Sequence, residues 1–154
     1  MDLRPATTYL CVALTTLWLA PSAWATLGET ADSIAKDSNA LSAATRTTIT
    51  RAKYAMQVMK SETTTVREYL TPAGVVFAVA WNGVTHPDLS VLLGCYHEEY
   101  RSASAEQQRV QGRRQKQVRS QRLVVESWGH MRNLQGRAYL PELVPEGVNL
   151  YEIR

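Results

Sequence analysis

Val75-Val76-Phe77-Ala78-Val79-Ala80-Trp81 is apolar at every one of its seven positions. A strand with one wet face would alternate, so this run predicts a central strand with side chains packed over both faces. Its boundaries are sharp. Thr71-Pro72-Ala73-Gly74 before it reads as a tight reversal, in which Pro72 presets one turn dihedral and Gly74 can take positive φ. Asn82-Gly83 closes it. Upstream, Val66, Glu68 and Leu70 alternate with Arg67 and Tyr69, a strand with two distinguishable faces. Ser61-Glu62-Thr63 reads as a turn, and Tyr54, Met56 and Val58 alternate as another strand. Three consecutive antiparallel strands follow from these periods. Ala78 and Ala80 are small, which predicts close approach of a helix on their face.

Working outward, Thr85-His86-Pro87-Asp88 opens a helix, with Pro87 suited to the first helical position and Asp88 to the positive end of the dipole. Leu89, Leu92, Leu93, Tyr96, Tyr100 and Ala103 fall on one stripe for packing on the sheet. Gly94 costs that helix about 1 kcal/mol relative to alanine and marks a close contact or a break. Residues 101–122 carry seven cations against the single carboxylate Glu106. They read as a basic polar excursion, either a helical extension or a loop, with too few apolar residues to build core. Leu123 to Trp128 and Leu134 to Leu140 are two further strands, and Val148 to Ile153 could add a short edge piece. At the other end, Thr45 to Thr50 is loop or strand, and residues 31–43 fit a short, weakly apolar helix. The expected architecture is α+β, with an antiparallel sheet of about five strands, a packed amphipathic helix and a shorter N-terminal helix.

The first 25 residues read as an address. Arg4 lies in a short polar start, Tyr9 to Ala20 is apolar, Pro21 breaks the run, and Ala23-Trp24-Ala25 has the small-x-small pattern of a signal peptidase site. The apolar run is too short for the roughly 20 residues that span a bilayer. Cleavage after Ala25 leaves residues 26–154 as a single domain, and places the protein in the periplasm or outside the cell. The whole chain has 17 basic and 14 acidic side chains, and losing Arg4 and Asp2 leaves the net charge at +3. Cys11 leaves with the signal, so Cys95 has no internal partner. It is buried and inert, joined to another chain, or functional, and its place beside the apolar stripe favours burial.

Candidate chemistry is sparse. Cys95 and His97 lie two apart, which on a helix points them about 200° apart and away from a common ion. Ser127-Trp128-Gly129-His130 lacks the G-x-S-x-G elbow, and the glycines are too isolated for a phosphate loop. No catalytic residue, metal ligand or cofactor is assigned. The basic run has no interleaved aromatic residues, and export separates it from most nucleic acid. An anionic envelope component or another exported protein is the better partner. Trp128-Gly129-His130-Met131-Arg132 combines an aromatic ring, a glycine, an imidazole and a cation in an expected connection between strands. With Trp81 and His86 it would form a small polar pocket if the strands are neighbours. The plainer alternative is that His130 and Arg132 satisfy local carbonyls and carboxylates.

These segments resemble the DUF2844 family of small exported bacterial proteins of unknown function. The resemblance lies in Ala25-Thr26-Leu27-Gly28, in the long run Val66-Arg67-Glu68-Tyr69-Leu70-Thr71-Pro72-Ala73-Gly74 continuing through Trp81, and in Pro87-Asp88-Leu89 with Leu92-Leu93-Gly94. It continues in Gly129-His130-Met131-Arg132 and in Gly136-Arg137-Ala138-Tyr139-Leu140-Pro141. The family has no defined activity to carry over. The resemblance implies that Arg67, Glu68, His130 and Arg132 are family features.

The candidate binding residues are therefore Arg67, Glu68, Trp81, His86, His130 and Arg132. The expected function is a non-catalytic binding or structural domain of the bacterial envelope. The competing expectation is a small hydrolase or metal-dependent enzyme built from His86 and His130, with Cys95 as a further candidate.

Overall fold

A computed structural model describes residues 27–30, 45–107 and 115–154. The signal-like segment and the helix expected over 31–43 lie outside the described residues, as do Arg109, Arg113 and Arg114 of the basic run.

Seven strands form one antiparallel sheet: β1 (Thr45–Thr50), β2 (Ala55–Lys60), β3 (Thr64–Leu70), β4 (Val76–Gly83), β5 (Gln115–Arg119), β6 (Val124–His130) and β7 (Asn133–Tyr139). Their spatial order is β1-β2-β3-β4-β7-β6-β5. Two meanders thus meet at β4 and β7, and the helical segment connects them. The α+β class holds, but the strand number is seven instead of about five. One added strand is β1, whose β-branched threonines suit a pleated ribbon. The other is β5, inside the basic run. There Lys116 and Val118 alternate with Gln115, Gln117 and Arg119, and Val118 alone is buried, enough to fix an edge strand.

The apolar run 75–81 is central, as its composition requires: Val76 to Trp81 are all buried. Two cores flank it. Val79 and Trp81 face one side with Met59, Val66, Val125 and Ala138. The helices cover this side: α1 (Leu89–Leu93), a 3-10 turn at Gly94–Tyr96, and α2 (His97–Glu106). Asp88 is the N-cap, its carboxylate accepting from the Ser90 amide at 2.8 Å, so the helix starts two residues later than the sequence pattern implied. Gly94, at φ 47°, breaks the helix and turns Tyr96 and Tyr100 onto the sheet. Cys95 is exposed, correcting its expected burial: in the tightened turn it lies off the stripe that its neighbours bury.

Ala78 and Ala80 face the opposite side, so no helix packs on them. Their cover is the C-terminal strap 141–154, which buries Ile153 with Tyr69, Phe77, Val124 and Tyr139. Within it, Leu150–Glu152 is a 3-10 turn and not an edge strand. Tyr69 pins the strap, its hydroxyl lying 3.2 Å from both the amide nitrogen and the carbonyl oxygen of Arg154. Burial raises the Tyr69 phenol above its ordinary pKa of 10.0. It therefore stays protonated and can donate to the strap carbonyls.

Candidate binding groove on the helix-free face

The sheet register sets the site. Arg67 pairs with Ala80, Ala80 with Arg137, Arg137 with Glu126, and Glu126 with Gln117. Register partners in antiparallel strands project to the same face, so this row crosses five strands on the side away from the helices. The next row runs through Thr65, Asn82, Gln135, Trp128 and Gln115. Ala80 is fully buried and small, which leaves space for the arginine arms on either side of it.

Arg137 is held from four directions. Its Nε and Nη2 each lie 2.6 Å from Glu126 Oε2, and Nη1 donates to the Leu150 carbonyl of the strap. Its guanidinium sits 5.8 Å from the Trp128 ring centroid and 6.0 Å from that of Tyr139. Gln117 Nε2 supplies the other Glu126 oxygen at 2.6 Å. Burial and the Glu126 charge push the Tyr139 phenol up from its ordinary value. Trp128 is fixed as well, its indole N–H donating to Gln135 Oε1 at 3.1 Å while Gln135 donates to Asn133.

Arg67 differs from Arg137. Its Nη1 donates to Asn82 Oδ1 at 2.5 Å, and among the described residues it has no carboxylate partner. The same is true of Arg154, whose Nε donates to the Tyr151 carbonyl at 2.9 Å. Two guanidinium groups are thus left without counter-charge beside a third that is compensated. Around them lies a groove of about 1300 Å³, lined by Gln117, Glu126, Trp128, Gln135, Arg137 and Arg154 among others. A hollow of about 200 Å³ adjoins it at Arg67, Asn82 and Trp81. A guanidinium without a carboxylate is a fork for carboxylate or phosphate oxygens, and an immobilised indole is a flat apolar platform. This arrangement can hold a ligand with one anionic group and one ring face.

The six sequence-derived candidates fall in three places. Arg67 is in the groove. Glu68 and Trp81 are buried on the helix-covered face, with Glu68 in register between Gln57 and Val79. Trp81 lies over Gly136, borders the small hollow, and its Nε1 has no hydrogen-bond partner among the described residues. His86 is exposed in the loop after β4. His130 and Arg132 are exposed at the β6–β7 hairpin tip, where the His130 Nδ1 approaches the Met131 carbonyl at 3.1 Å. Arg132 occupies the left-handed region at φ 69°. None of the groove and its hollow is lined by His86, His130 or Arg132. Among the described residues, no three His, Cys, Asp or Glu side chains are grouped to hold a metal ion. The sequence reading did not select Arg137, Glu126, Gln135 or Arg154. Arg137 and Glu126 do alternate outward on their strands, but which strands are neighbours cannot be read from a single chain.

A family model described as a protein of unknown function, DUF2844, matches residues 23–153. The chain belongs to the DUF2844 family. Its groove residues Arg67, Asn82, Glu126, Trp128, Gln135 and Arg137 all lie inside the matched span. No curated protein and no solved structure matches. Among the described residues, no helix is long and apolar enough to cross a membrane.

Proposed function

We propose that this DUF2844 protein is an exported, non-catalytic binding domain of the bacterial envelope, and that it receives its ligand in the groove on the helix-free face. The signal-like residues 1–25 support the location. The observation that carries the binding site is the pair Arg67 and Arg137 on either side of Ala80, beside the fixed Trp128 ring. The polar groups there are tied to one another by hydrogen bonds, which preorganises a surface for recognition. Nothing in the row provides a nucleophile beside a base.

The ligand class is polar and anionic with a flat or apolar ring face. Tryptophan fluorescence tests this directly, because the chain after Ala25 contains only Trp81 and Trp128. Glucuronate should perturb the emission saturably while glucose should not. The response should vanish in Trp128→Ala and weaken in Arg67→Gln. Absence of any response to small carboxylate and phosphate ligands, with the fold intact by circular dichroism, would refute the groove as a binding site.

A further inference from the structure

The strap has a second cavity on its other side, of about 550 Å³, lined by Arg51, Lys53, Tyr54, Tyr151, Glu152 and Arg154 among others. Tyr151 and Arg154 line both this cavity and the main groove. The two therefore form one track across the helix-free face, with the exposed Tyr151 ring at the crossing. Its combined size exceeds the roughly 300–1000 Å³ of a small-molecule site. The charge is uneven along its whole length. Among its lining residues, Arg51, Lys53, Arg67, Arg137 and Arg154 stand against Glu126 and Glu152.

We propose that the track holds an acidic polysaccharide, a chain of uronic-acid-type units running from Trp128 over Tyr151 to Lys53. The inference rests on the groove being the binding site. Three observations favour sugar over another polyanion. Trp128 and Tyr151 offer ring faces at separate points, suited to the apolar faces of pyranose units. The lining also supplies side-chain amides, Asn82, Gln107, Gln117 and Gln135, which both donate and accept, as hydroxyl recognition requires. The cations continue beyond the group of Arg67, Arg137 and Arg154 to Arg51 and Lys53 at the far end of the track, so that more than one carboxylate along a chain is met.

The test uses the chain lacking residues 1–25 and oligogalacturonates of one to six units, followed by Trp128 fluorescence and calorimetry. Affinity should rise about tenfold or more from monomer to hexamer as a second set of contacts engages, and should fall with added salt. Lys53→Ala and Arg51→Ala, which touch only the second cavity, should abolish that rise and leave monomer affinity unchanged. A hexamer bound no tighter than the monomer would overturn the track while leaving the groove. Tighter binding of polyphosphate or a single-stranded oligonucleotide than of the hexamer would overturn the saccharide assignment. Failure of the monomer itself would count against the underlying groove.

Discussion

Arg67 and Arg137 are in register with the same residue, Ala80, one from each neighbouring strand. Two strand spacings of about 4.8 Å put their Cα atoms roughly 10 Å apart on one face. The methyl group of Ala80 is fully buried between them. A larger side chain there must lift one arm or both. Ala80→Leu should therefore cost about 1–3 kcal/mol in urea unfolding and reduce ligand-induced quenching of Trp128. Ala80→Gly should spare the groove.

Gly136 controls the spacing from beneath. A Cβ at this position would run into the Trp81 ring and lie 2.8 Å from the Glu126 carbonyl oxygen, where backbone cannot yield. Gly136→Ala should lower stability by about 2 kcal/mol or more, read from the denaturation midpoint. A cost below 0.5 kcal/mol would mean that Trp81 can re-pack.

Glu99 latches α2 to the turn between β5 and β6. It accepts from Ser120 Oγ at 2.7 Å, from the Arg122 amide at 3.2 Å and from the Arg122 guanidinium at 2.8 Å. The Ser120 hydrogen bond and then the Arg122 contacts hold its carboxyl below its ordinary value of 4.5. A depressed folded-state pKa means that the contribution is complete above the unfolded value and is lost as pH falls through the folded one. Unfolding scans from pH 7 to pH 2.5 should show stability falling below about pH 4.5. Glu99→Gln should lower stability at pH 7 and flatten the acid limb, so an unchanged limb would remove Glu99 as its source.

At the β6–β7 hairpin tip, the exposed Arg132 holds φ 69°. Glycine removes the clash between Cβ and backbone that a left-handed residue carries, worth about 1 kcal/mol. Arg132→Gly should raise the melting temperature by a few degrees. It should also leave uronate binding unchanged, which separates the hairpin tip from the groove.

Much of the fold was legible because β2, β3 and the Leu89–Tyr100 stripe each carry a clean period. The run 75–81 was central and buried on both faces, as its uniform apolarity required. The basic run reads as a helical extension or a loop, and α2 does continue through Glu106, but β5 leaves almost no periodic signal because Val118 is its one buried side chain in five residues. Ala78 and Ala80 gave the reason for close packing but not its occupant, since the strap packs with isolated apolar residues such as Ile153 and Val148. The groove was legible at Arg67, at Trp81 beside its hollow and at Trp128 as the aromatic of the segment 128–132. Its other members come from β4, β5, β6, β7 and the strap, and their convergence depends on β7 pairing with β4, a contact between segments more than fifty residues apart.

That pairing has a kinetic meaning. Every other neighbour in the sheet is a hairpin partner, so each meander can form from local contacts, whereas β4 and β7 must close a long loop before they touch. Loop-closure cost predicts their seam as the late step of folding. Arg67 and Asn82 belong to one side of it, and Gln135, Arg137 and Trp128 to the other. The groove is thus assembled by the same event that completes the sheet, and any ligand that bridges it acts as a clamp, slowing separation of the two halves while leaving each hairpin as it was.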